Sequence, residues 1–217
     1  MITARFQSTA AVVRLSWDAV RTARGGEAAI ASRQTERLQE LVAFARERSP
    51  YLAAGYRAVP AQVTDITQLP MSAKAEMMAH FDEWVTDPDV TRAQVEAFIA
   101  DPDMIGHDLL GRYVVCTTSG ATGTPAILLH DRNALTVYNV MGYVRSLRTV
   151  LPPRQLWALL RGKGRMAAVF VTGGHFLGST MMARRHRAMP WRAKTQRLFS
   201  ALTPRDELVD ELNAFSR

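Results

Sequence analysis

The chain is short of three things, and each shortage excludes something. Cys116 is the single cysteine, so no internal disulfide and no cysteine-built metal cluster can form. Its place in the apolar run "YVVC" predicts a buried strand residue with no chemical role. No run of 18 apolar residues occurs, so no membrane-spanning helix is expected and the membrane is not an expected partner. Acids are missing from a long interior stretch: no Asp or Glu lies between Asp131 and Asp206, where 14 Lys or Arg do.

What is present is the composition of an ordinary globular chain, 47% hydrophobic and 22% charged over 217 residues. That length can bury one large core or two small ones. The start, "MITARFQSTAAVVRL", has arginines and no acid before Asp18, which faintly resembles a transit peptide, but it has no secretory core and cleavage site. A cytoplasmic location is the default expectation. Charge is unevenly divided, with a balance of −4 over residues 1–110 and +11 over 111–217, together the stated +7. A basic block attracts phosphates of a nucleotide, a coenzyme or a nucleic acid. It also fits a solvated face whose acidic partners lie elsewhere in the chain. Only three of the 27 basic residues are lysines, so part of the arginine excess is compositional. Nucleic acid is therefore not the expected partner.

Along the chain, Leu38, Leu41, Val42 and Ala45 mark one face of a helix over residues 34–48, ended by Pro50. "ITQLPMSAKAEMMAHF" predicts a turn at Pro70, an N-cap at Ser72 and a short helix. "TRAQ" at 91–94 is a capping box that opens a helix through about Ala100. From Arg112 the pattern changes. "RYVVCT" and "PAILLH" predict two strands around a polar loop, and Asp131 then caps a long helix with Ala134, Val137, Tyr138, Met141 and Val144 on one face. "MAAVFVTGGH" predicts a buried strand running into glycines. "TPRDELVDEL" predicts a last helix with Thr203 as cap and Pro204 at its first position. The apolar face of that helix, at Leu208, Leu212 and Phe215, has no later element to cover it, which points to an incomplete chain. The expected fold is α/β, with an extension over 1–32, a helical lobe over 33–110 and an α/β subdomain over 111–217.

Two loops could carry chemistry. The first, "TTSGATGTP" at 117–125, sets hydroxyls beside glycines, whose backbone N–H groups are unshielded. Such a loop can wrap a polyphosphate; it can equally be a hairpin turn whose Ser and Thr bond their own backbone. The second, "GGHFLGST" at 173–180, has the glycine spacing of a phosphate-binding P-loop from Gly173 to Gly178. Ser179 stands where that motif needs lysine, which excludes a P-loop NTPase. His175 lies at a strand end, where open α/β sheets bind ligands, and an ordinary helix-start histidine would look the same. His80, His107, His130 and His186 show no metal-ligand spacing, so no metal ligand is expected.

With these residues in view, the chain resembles the adenylate-forming enzymes, in their phenylacetate–CoA ligase-like branch. "TTSGATGTPAIL" is similar to the signature S-G-T-T-G-x-P, with Ser119, Gly120, Thr122, Gly123 and Pro125 in place. Ala121 replaces a threonine, and Thr124 stands where the branch often has lysine. "ARERSPYLAAGY" (45–56), "ITQLPMSAKAEMMAHF" (66–81) and "TGGHFLG" (172–178) resemble the branch's flanking segments in the same order, so the resemblance covers about residue 33 onward.

The resemblance implies the helical lobe and part of the mixed-sheet large domain of such an enzyme. It implies that a carboxylate attacks the α-phosphorus of ATP, giving an acyl-adenylate and pyrophosphate, and that a thiol then takes the acyl group. The implied partners are a small carboxylic acid, ATP with Mg2+, and coenzyme A; oligomerisation is left open. It implies phosphate contacts for Thr118, Ser119, Gly120, Thr122, Gly123 and Thr124, and an acyl-pocket place for Gly174 and His175. The family continues into an adenine loop, a ribose-binding aspartate and a catalytic lysine that have no counterpart here. The expectation is therefore the N-terminal part of a ligase, inactive alone. The alternative is a non-catalytic module that binds nucleic acid or another polyanion through basic residues 132–205.

Overall fold

The computed structural model describes residues 2–118, 123, 125–150, 157 and 165–216, with 2–8 and 145–150 described at the backbone only. It is an α/β protein rich in helix and divides into two compact units, Met1–Val95 and Glu96–Arg217. The sequence pattern, in contrast, changes character at Arg112.

The first unit is helical. α1 (Ile2–Arg24) and α2 (Gly26–Arg48) form a hairpin, where a 1–32 extension had no expected structure. Gly26 makes the break, at φ +74°, a conformation that side chains with a Cβ avoid. Asp18 of α1 accepts from the Arg33 guanidinium of α2 at 2.9 and 3.1 Å, joining the helices. Val42 and Ala45 are buried as the periodicity predicts, whereas Leu41 is 63% exposed. Pro50 does end α2: Ser49 is extended, and its Oγ accepts from Leu52 N–H at 3.3 Å to start α3 (Pro50–Gly55).

Ser72 is not a cap. α4 (Lys74–Ala79) starts two residues after it, with Ala73 at the cap position and no side-chain cap bond. α5 (Phe81–Trp84) follows and buries Phe81. α6 (Arg92–Ala100) opens on the expected box: Gln94 N–H donates to Thr91 Oγ1 at 3.3 Å, and Thr91 N–H donates to Gln94 Oε1 at 2.9 Å.

In the second unit β1 (Val114–Thr117) and β2 (Ile127–His130) pair antiparallel, with Thr117 opposite Ile127. Val114, Val115 and Cys116 are each 1% exposed. Asp131 caps α7 (Arg132–Val150), its Oδ1 accepting from Ala134 N–H at 2.7 Å. On α7 Val140 is buried, and Tyr138, expected on the apolar face, is exposed.

β3 (Met166–Phe170) pairs with β4 (Gln196–Ser200) in parallel, and α8 (Leu177–Ala188) lies between them in sequence. The expectation of a buried β3 is corrected: Val169 and Phe170 are 40% and 43% exposed. Among the described residues β4 is its one paired strand, so its apolar residues are covered incompletely. α9 (Arg205–Ser216) begins one residue after Pro204, whose carbonyl accepts from Leu208 N–H. Its apolar face has a partner earlier in the chain: Phe215 meets Phe199 of β4 edge-on at 5.7 Å. That face is therefore no argument for a missing element. No helix among the described residues is long and apolar enough to cross a membrane.

Candidate functional site

The two loops singled out in the sequence meet at the end of β1. Thr117 N–H donates to the His175 carbonyl at 2.7 Å, and Thr117 pairs in parallel with Phe176. β1 thus has β2 on one edge and the 175–176 segment on the other.

The hydroxyl-rich loop leaves β1 through a closed neck. Thr118 N–H donates to the Ala126 carbonyl at 3.0 Å, and Thr118 Oγ1 accepts from Ala126 N–H at 2.9 Å. This occupies one lone pair of Thr118 and leaves its O–H proton available to an anion. Gly123 is exposed with φ +114°, which an L side chain would not tolerate without strain. Ser119, Gly120, Thr122 and Thr124 lie outside the described residues, so the neck and Gly123 are the parts of the expected cradle with a defined position.

The second loop leaves the C-terminal end of β3. Thr172 Oγ1 and Ser200 Oγ, at the ends of the parallel strands, are hydrogen-bonded at 2.9 Å. Gly173 turns the chain at φ +86°. Ser179 Oγ lies 2.9 Å from the Phe176 carbonyl and 3.1 Å from the Gly174 carbonyl, so its proton is used inside its own turn. Both bonds go to carbonyls of its own turn, and no side chain caps the start of α8. Gly178 is held for packing: a Cβ there would come within 2.5 Å of the Phe170 ring.

His175 is 2% exposed, and its ring lies 5.4 Å from the Phe98 ring at a tilt of 53°. Neither nitrogen has a hydrogen-bond partner among the described residues. The Asp101 backbone approaches closely enough to favour the charged ring, without the length and angle of a full hydrogen bond. Burial is the stronger influence and lowers the His175 pKa, so the ring is neutral near pH 7. A neutral buried imidazole with two open polar atoms can donate to one group and accept from another. Thr180 Oγ1, 1% exposed on the first turn of α8, is also without a partner among the described residues.

Cys116 follows expectation. It is buried, and desolvation pushes its thiol up to about 11, so no thiolate is present near neutrality. His130 packs edge-on against Tyr138 at 5.3 Å, and burial lowers its pKa. His80 stacks on Tyr51 at 5.5 Å. No group of three His, Cys, Asp or Glu among the described residues is arranged to hold a metal ion. Phe98 and the Thr117–His175 bond escaped the sequence reading, because each is a contact between segments far apart in the chain. No family model, curated protein or solved structure matches the chain.

Proposed function

We propose that this chain carries the pyrophosphate-holding segment of an ATP-dependent acid–thiol ligase of the phenylacetate–CoA ligase-like kind. One observation carries the reading. The signature-like loop and the His175 loop are joined at the end of β1 by the bond between Thr117 and His175, 58 residues apart in sequence. A phosphate cradle and an acyl pocket must be neighbours for a carboxylate to reach the α-phosphorus. In this reading the backbone of 119–124 and the Thr118 hydroxyl hold the β- and γ-phosphates, with Mg2+ sharing their charge. His175 lines the carboxylate side. The protein's work is positioning and charge stabilisation, with little covalent chemistry.

The basic block supports an internal use more than one continuous binding stripe. The Arg184 guanidinium bonds Asp108, Arg165 donates to the Phe215 carbonyl, and Arg197 lies 5.0 Å over the Phe199 ring.

The reading is tested in two steps. Magnesium pyrophosphate should bind the 217-residue chain, and the Ser119→Ala/Thr122→Ala pair should weaken it by roughly tenfold, the worth of one charge-assisted hydrogen bond. Extended by an adenine loop and a lysine-bearing domain, the chain should support carboxylate-dependent ATP–pyrophosphate exchange. Exchange absent with every acyl and aryl acid tried, or an unchanged pyrophosphate affinity in the double variant, removes the assignment.

A further inference from the structure

A cavity of about 590 Å³ lies between α7 and α8 and shares no residue with the two loops at the end of β1. Its α7 wall presents Leu135, Asn139 and Tyr143; its α8 wall presents Arg184, Arg185 and Arg187. Three guanidinium groups on one wall are costly to hold together unless something offsets their charge. Asp108 offsets one, through its bond to Arg184. No carboxylate pairs with Arg185 or Arg187 among the described residues, and Arg185 Nε is buried there without a hydrogen-bond partner. The wall therefore holds a net charge near +2 facing a space with no acid in its lining.

The backbone is shaped to keep this wall in place. Gly106, at φ +83°, sits so close to α8 that a Cβ would come within 2.8 Å of the Ala183 Cβ and 3.0 Å of Arg184 N. Asp108 bonds Arg184 beside this close approach, and the other two arginines have no carboxylate partner among the described residues. Basic residues in a last turn also suit the helix dipole, which accounts for their sign. The dipole does not account for a cavity beside them, for its Asn139 amide, or for the buried open Nε.

We propose that this cavity binds an organic phosphate monoester, whose dianion matches the two uncompensated guanidinium groups. Planar guanidinium forks suit phosphate oxygens in pairs. The volume is much larger than a bare phosphate needs, and Tyr143 and Leu135 offer an aromatic and an aliphatic surface to the organic part. The site is independent of the ligase reading, since it uses none of the same residues.

Phenyl phosphate is the probe, titrated calorimetrically into the 217-residue chain at fixed ionic strength, with phenol and inorganic phosphate alongside. Phenyl phosphate should bind more tightly than either. Arg187→Gln, an exposed change that leaves the core alone, should weaken it by roughly tenfold, and Arg185→Gln by at least as much. Tyr143→Ala should weaken phenyl phosphate while leaving inorganic phosphate unchanged, a pattern that misfolding cannot imitate. Equal affinity for phenyl phosphate and inorganic phosphate overturns the proposal, as does an unaffected Arg187→Gln. Binding of a DNA oligonucleotide that falls in both arginine variants, with no binding of phenyl phosphate, overturns it in favour of a polyanion surface.

Discussion

β1 and β3 are similar apolar runs, "VVCT" and "MAAVF", with opposite fates. Every residue of the first up to Cys116 is 1% exposed, while Val169 and Phe170 of the second are 40% and 43% exposed. Composition does not separate them; neighbours do. β1 has β2 on one edge, the 175–176 segment on the other, and α8 packed against it. β3 has β4 alone among the described residues, and a parallel pair is the kind of sheet usually covered on both faces. The comparison also divides function: the well-covered strand anchors the candidate site, and the less covered one supplies the loop that reaches it.

The largest expected contrast is in packing. Val115→Ala removes two methyl groups from a filled site and should cost about 2–3 kcal/mol of unfolding free energy, by urea denaturation followed by circular dichroism. A cost below about 0.5 kcal/mol would mean that β1 is not the packed element described here. Cys116→Ser follows. A buried hydroxyl without an assured partner should cost about 1–3 kcal/mol, while Ala168→Ser on half-buried β3 should be close to neutral. Equal losses would erase the contrast between the strands. In the wild type, the pKa of about 11 at Cys116 predicts slow alkylation by iodoacetamide at pH 8 and rapid alkylation once urea unfolds the chain.

Much of β1's surroundings was legible in sequence, because the signals were local. Alternating and continuous apolar runs gave both strands, Asp131 announced α7, and the Thr91–Gln94 box opened α6. What failed was set by distant partners. The cover of β3 depends on what packs beside it, which no run of apolar residues encodes. On α7 it is Val140 that is buried while Tyr138 is exposed, a choice set by tertiary neighbours that the helical period alone does not encode. The α1–α2 hairpin was unread because the pairing rests on a contact between Asp18 and Arg33, 15 residues apart. For the site, residue types marked the two loops, but their meeting at Thr117 is a tertiary fact.

Acid should reveal His175. Its folded pKa lies below the ordinary value near 6.5, with desolvation the main cause. As pH falls through about 6.5 the unfolded chain takes up the proton before the folded one does. Stability should therefore fall with pH, by at most about 1.4 kcal/mol per unit for this group, until the folded pKa is passed. His130 has the same sign, with burial again the cause, so the two add. His175→Leu should remove part of the slope between pH 7 and 5. An unchanged slope would locate the acid sensitivity elsewhere.

The smallest expected effect is the sharpest test of the strand comparison. Val169→Thr keeps a β-branched side chain of nearly the same shape on β3 and replaces one methyl with a hydroxyl. At a site 40% exposed, that hydroxyl can bond water and should change stability by less than about 0.5 kcal/mol. The same exchange at Val115 buries the hydroxyl and should cost about 1–3 kcal/mol. A large loss at Val169 would show that this side chain is buried in the protein in solution, and β3 would then belong with β1 as a core strand.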